Sequence, residues 1–448
     1  MSVRLLLATI VLVCAPVVAG AAGPGEKLDV PAVAAAPFAL LLLAIAVFPL
    51  VAEHWWHPNR NKAIITAALC VPIAIYLLTL PNGPKFLWHG IEEYLSFIVL
   101  LGALYTISGG VVLGGDLPAK PTTNIAFLAI GAVLANIVGT TGASMLLIRP
   151  MLRTNRERKN TKHIPIFFIF IVSNCGGLLT PLGDPPLFLG FLNGVDFFWT
   201  MRLWPQWLFV NGLLLFTFLI WDIQAYSREV AIDIRTDDRI REPLSIRGWK
   251  LNLPLMLGVI AAVLAKKYVE DFPVCELIMV AMAGLSVWRT PKAIREANRF
   301  AWGPIVEVAV LFAGIFVAMV PALALLGKHG NLFGITEPWQ FFWVTGILSS
   351  GLDNAPTYVT MGSLAVQVGP CKDFADLAAC QPALLAAVSC GAVFMGAMSY
   401  IGNGPNFMVK AIAEESGYRM PSFFGYITYA ILILMPIMIA TTWISFVK

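Results

Sequence analysis

Ser173-Asn174-Cys175-Gly176-Gly177-Leu178-Leu179-Thr180-Pro181-Leu182-Gly183-Asp184-Pro185-Pro186 lies inside a long apolar segment, yet it holds three glycines, three prolines and an aspartate. A continuous helix cannot run through it, because each proline lacks an N–H and clashes with the preceding turn. At membrane depth, broken backbone is tolerated only where it is buried in protein or lines a wet cavity. A carboxylate in the same place is costly and marks function.

A second stretch makes the first interpretable. Shifting the chain by 219 positions lays Leu182-Gly183-Asp184-Pro185-Pro186-Leu187-Phe188 on Ile401-Gly402-Asn403-Gly404-Pro405-Asn406-Phe407, with Gly, Pro and Phe coinciding. A shift of 218 lays Leu134-Ala135-Asn136 on Leu352-Asp353-Asn354. Two matches at nearly one offset indicate an internal duplication. Paired, Gly/Pro-interrupted apolar segments in two halves are the sequence mark of a transporter site.

The rest of the chain sets the class. Of 448 residues, 58% are hydrophobic and only 12% charged, against roughly 25% charged in a soluble domain. The expected fold is therefore an all-α polytopic membrane protein. The formal charge of +4 gives no reason to expect a nucleic-acid partner. Seven cysteines and five histidines show no metal or haem spacing, so no transition metal and no organic cofactor is expected. Cys371 and Cys380 share one loop and would pair only if it faces an oxidising compartment; the reading leaves them as thiols.

Residues 1–23 combine Arg4, an apolar run and a small-residue site at Ala19-Gly20-Ala21, which fits a signal peptide or an uncleaved first helix. A first repeat half is expected over 32–223, with a re-entrant hairpin at 124–152 and a broken helix at 164–194. Each hairpin arm is too short to cross ~30 Å of hydrocarbon. Phe197–Trp207 reads as an interfacial aromatic belt. A charged cytoplasmic linker follows at 224–250. The second half, 251–446, repeats the plan with a hairpin at 338–367 and a broken helix at 383–410. Loops assigned to the cytoplasm carry 21 Lys and Arg against 7 in the opposite loops. That bias sends the two hairpins in from opposite sides, which makes the halves inverted repeats. The expected location is a bacterial-type inner membrane.

The tips of the breaks supply the candidate site. In the first half they carry Asn136, Thr140, Thr141, Ser173, Asn174, Thr180 and Asp184; in the second, Asp353, Asn354, Thr357, Ser399, Asn403 and Asn406. Gly176, Gly177, Gly183, Pro185, Pro186, Gly402, Gly404 and Pro405 break the backbone. Asp184 faces neutral Asn403 in the duplication, and Asp353 faces Ala135, so each half contributes one acid. No Lys or Arg lies at either tip. Two carboxylates among oxygen-rich neighbours suit a monovalent cation competing with protons. Glu307 is a candidate proton relay or an interfacial acid. Glu92, Glu93, Asp196, Asp222 and Glu276 lie near predicted span ends and read as solvated.

At these residues the chain resembles the ion transporter superfamily of arsenite permeases and NhaD-type sodium/proton antiporters, which includes citrate and dicarboxylate carriers. Asn174-x-Gly176-Gly177-x-x-Thr180-Pro181-Leu182-Gly183-Asp184 is similar to the antiporter branch's broken-helix motif. Gly183-Asp184-Pro185-Pro186 is close to the permease branch, and Asp353-Asn354-x-Pro356-Thr357 resembles the second hairpin tip of both. Ala135-Asn136 stands where the antiporter branch has Asp-Asn, and Pro185-Pro186 replaces a hydroxyl-rich continuation. The resemblance implies scaffold and transport regions, a homodimer, and elevator-like alternating access.

Three functions compete. The first is exchange of sodium or lithium for protons, with Asp184 and Asp353 as the binding carboxylates. The second is a sodium-coupled carrier of citrate, a dicarboxylate or an oxyanion such as arsenite. The third is an intramembrane aspartyl protease, suggested by Leu182-Gly183-Asp184 and Pro321-Ala322-Leu323, whose order relative to Asp353 is wrong for that chemistry.

Overall fold

The computed structural model describes residues 28–115, 117–229, 245–266, 268–269, 272–329 and 334–447. The candidate signal peptide and most of the linker lie outside these residues. The fold is helical: α1 (Ala36–Val51), α2 (Asn59–Leu78), α3 (Gly83–Ser108), α4 (Pro121–Thr154), α5 (His163–Ile171), α6 (Pro185–Leu192) and α7 (Trp204–Ser227) come first. After the linker come α8 (Trp249–Ala265), α9 (Val274–Arg289), α10 (Gly303–His329), α11 (Pro338–Gly351), α12 (Asn354–Val368), α13 (Pro382–Met395), α14 (Gly404–Glu415) and α15 (Phe423–Ser445). Among the described residues, seven helical segments are long and apolar enough to cross a membrane by length and composition, the folded-back α4 counted as one of them, and a bent pair at 374–398 brings the number to eight. This is a multi-pass membrane protein.

The α4 segment folds back on itself. Gly139 takes φ 79° and ψ 155°, a backbone state open to glycine and strained for other residues. The two ends then meet, with Asn124 Nδ2 donating to Asn155 Oδ1 at 2.9 Å; a straight helix would hold them about 46 Å apart. Helices α11 and α12 form a second such pair around Leu352-Asp353. Helix α5, every residue of which is buried, packs against α4, α7 and α14. Its run His-Ile-Pro-Ile-Phe-Phe-Ile-Phe-Ile is apolar all round, as a helix with no exposed face must be. Large apolar side chains stay exposed instead on the outer helices, among them Leu43, Val71, Phe216 and Leu432, which is the surface a bilayer covers.

Several expectations change. Asp222, expected to be solvated, is fully buried: Arg158 Nη2 lies 2.5 Å and His163 Nε2 2.8 Å from its Oδ1, and Asn124 donates to Oδ2 at 2.9 Å. Burial of this carboxylate is tolerated because its charge is paired and its oxygens are hydrogen-bonded. Glu276 is also buried and takes bonds from Ser96 and Lys266. Glu93 is largely enclosed, with His89 3.7 Å away. The aromatic belt divides: Phe198 and Trp204 are exposed, while Trp199 is buried and donates to Ala378 O at 3.1 Å. Cys371 and Cys380 form a disulfide, so the loop reading that left them as thiols is corrected. A small ribbon was also unforeseen: β1 (Val112–Gly114) pairs antiparallel with β2 (Ser245–Arg247), tying the end of α3 to the linker.

Candidate functional site

Asp184 stands at the N-cap of α6, where an aspartate ordinarily accepts hydrogen bonds from the N–H groups of its own helix. Here it makes no such bond. Pro185 and Pro186 occupy the first two helical positions and have no N–H to give, so the carboxylate is free to turn outward. Three other elements receive it. Thr140 Oγ1, just past the α4 reversal, donates to Oδ1 at 2.8 Å. Asn403, at the N-cap of α14, donates to the same oxygen at 2.9 Å. Asn354, the first residue of α12, donates to Oδ2 at 2.5 Å. Asp184 is 1% exposed. All three donors are neutral, and no described Lys or Arg is hydrogen-bonded or ion-paired to it.

Asp353 behaves differently. Its Oδ1 accepts from Ala355 N at 3.0 Å, so it caps α12 in the ordinary way, and it is only half-buried. Its chain neighbour Asn354 is the residue that reaches Asp184. Asn354 brings a further feature: its Oδ1 is buried and has no hydrogen-bond partner. An enclosed acceptor left empty costs about 1–3 kcal/mol, and it sits on the side chain that already touches Asp184.

The other candidates take different parts. Asn174 links the two broken helices: its Nδ2 donates to Asn406 Oδ1 at 2.7 Å, and its Oδ1 accepts from Asn403 at 3.1 Å. Ser173 shares a 2.8 Å hydroxyl contact with Ser144, and its carbonyl accepts from Asn403 at 3.1 Å. Asn136 and Thr180 instead hold the first break closed. Asn136 donates to Gly176 O and accepts from Leu179 N, both at 2.7 Å, while Thr180 Oγ1 donates to Asn136 O. Thr357 and Ser399 bond to nearby carbonyls, those of Asp353 and Ser350. Thr141 is half-buried and is not hydrogen-bonded to Asp184. Glu307 lies away from this cluster, 2.7 Å from Lys62 on α2.

Residues that sequence reasoning passed over, joined in the second break by the candidate Asn406, bond to carbonyls of the unwound backbone. Trp207 Nε1 donates to Gly176 O at 2.7 Å, Asn211 Nδ2 to Cys175 O at 3.1 Å, and Thr200 Oγ1 to Leu179 O at 2.9 Å. In the second break, Tyr426 OH donates to Ala397 O at 2.8 Å, and Asn406 Nδ2 donates to Gly396 O and Ser399 O. These carbonyls are therefore occupied, whereas the side-chain oxygen Oδ1 of Asn354 is open. Asn211 alone offered a signal, as an amide in an apolar helix.

The two breaks share a backbone contact. A Cβ on Gly183 would lie 2.1 Å from Gly177 O, and one on Gly402 would lie 2.6 Å from Gly396 O. The same offset of 219 residues that aligned the two stretches of sequence relates one pair to the other.

The family model described as "Putative citrate transport" matches residues 27–446. No curated protein matches the chain.

Proposed function

With the chain belonging to this citrate-transport family, a family of secondary carriers, we propose that it exchanges a monovalent cation, sodium or lithium, for protons, with Asp184 as the carboxylate both compete for. The observation that carries this reading is the setting of Asp184: a buried acid held by three neutral donors with no basic partner. A buried, uncompensated carboxylate is expensive. Either a bound cation or a proton removes the cost, and each excludes the other. Asn354 Oδ1, buried and unpartnered beside it, is a second oxygen for the ion. Thr140, Asn403 and Asp353 complete the proposed neighbourhood, and Asn174, Ser173 and Asn406 hold its geometry.

The family description favours a second reading, in which the same cation site drives uptake of citrate or a related anion. Protein reconstituted in liposomes with a trapped pH dye and an imposed proton gradient separates the two. Dye recovery on adding sodium or lithium, absent in Asp184→Asn, is expected for exchange. Silence to cations alone, with sodium-dependent uptake of labelled citrate, would move the assignment to the coupled carrier.

A further inference from the structure

A cavity of about 390 Å³ opens where the N-terminus of α8 meets the C-terminus of α9, at the other end of these helices from Lys266. It is built on a rigid floor. Asn252 is buried and donates to Gly110 O at 2.9 Å and to Thr290 Oγ1 at 3.1 Å, while Ser286 Oγ donates to its Oδ1. Gly248, the N-cap of α8, has φ 82° and offers no side-chain cap. The first N–H groups of a 17-residue helix are thus left without an intrahelical acceptor and present the positive end of its dipole.

Three cationic residues line the same cavity: Arg247, Lys250 and Arg289. All three are exposed, and none forms an ion pair among the described residues. Among the described residues, no acidic side chain lines it. The remaining wall is apolar, with Trp249, Pro291 and Ile294 prominent. The position is a membrane boundary: Trp288, 72% exposed, stacks under the Arg289 guanidinium at 4.6 Å, and Trp249 is 45% exposed. Tryptophans with adjacent arginine mark the level of lipid headgroups. The Lys/Arg bias of the loops assigns this end to the cytoplasmic leaflet, which carries anionic lipid.

We propose that this cavity binds a phosphate group, presented as the headgroup of an anionic phospholipid. The three cations and the free N–H groups take the phosphate oxygens, and the apolar wall takes the glycerol and the first acyl carbons. Nothing in this assignment depends on the ion that the centre of the protein handles.

The test is thermal unfolding of the delipidated full chain, titrated separately with phosphatidylglycerol, phosphatidylcholine and inorganic phosphate. Wild type is compared with Arg247→Gln/Arg289→Gln, and equal unfolding temperatures without additive establish that the variant is folded. Phosphatidylglycerol is expected to raise the unfolding temperature of wild type, with apparent affinity falling roughly fivefold for each cation removed. Phosphatidylcholine is expected to do neither. A matching, variant-sensitive response to inorganic phosphate would keep the site and assign it to the free anion. An equal phosphatidylglycerol response in wild type and variant, or none in wild type, would overturn the proposal. Native mass spectrometry of Lys250→Gln, expected to retain fewer phosphatidylglycerol molecules than wild type, gives an independent reading.

Discussion

Asp184 and Asp353 have the same side chain at the same position of a helix, the N-cap, and the structure puts them to opposite uses. Asp353 accepts from Ala355 N and is only half-buried. Asp184 is fully enclosed, ignores its own helix, and bonds only to side chains from three distant segments. The difference lies in the following residues. After Asp353 come Asn354 and Ala355, which carry N–H groups; after Asp184 come two prolines, which do not. Asp353 finds its donor at the second helical position; at Asp184 that position is a proline and the next N–H, of Leu187, goes to the Asp184 backbone carbonyl, so the carboxylate takes its partners from across the protein.

That contrast can be broken by experiment. The largest effect is expected from Asp184→Asn, which keeps the shape and removes the charge: cation-dependent proton movement in liposomes should disappear, and retained activity would refute the role given to Asp184. Gly183→Ala places a methyl group on Gly177 O, and backbone cannot yield as a flexible side chain does. A loss of at least about 3 kcal/mol in folding stability is expected, read as poor recovery of monodisperse protein. Asn354→Ala removes one donor to a charged group, worth about 1.5–3 kcal/mol. Apparent cation affinity should fall roughly tenfold to a hundredfold, with the protein still folded; an unchanged affinity would leave Asn354 as packing only. The smallest effects belong to Asp353. Alanine there should cost about 1 kcal/mol of stability, while asparagine, an equally good cap, should cost almost nothing. If Asp353→Asn instead abolishes exchange as Asp184→Asn does, the two carboxylates work as a pair despite their different settings.

Much of this was legible before any coordinates. An acid amid glycines and prolines within an apolar run signals a broken helix, and the structure has the break there, with Asp184 buried at the N-cap of α6. Asn354 and Asn403 followed from the offset of about 219 residues. What stayed hidden was pairing over long sequence distances. Asp222 looked solvated because it lies near the end of its helix; its burial depends on Arg158 and His163, about 60 residues earlier in what reads as an ordinary basic loop. Trp207 looked like a belt residue because hydropathy records the ring and not the N–H, which reaches Gly176 O. The caps of Asp184 and Asp353 could in principle have been told apart, since the prolines are written in the sequence.

The closed carbonyls of the two breaks have a consequence for exchange with solvent deuterium. Irregular turns normally give up their amide hydrogens in seconds, because little holds them shut. Residues 173–183 and 396–403 lie outside regular α-helix, yet they are enclosed, interlocked at Gly177–Gly183 and Gly396–Gly402, and clamped by Trp207, Asn211 and Tyr426. They should label as slowly as the helices beside them. Under the proposed function, a centre that resists local opening in this way does not admit an ion by fraying, and access is expected to displace these turns as a unit with the hairpins that hold them.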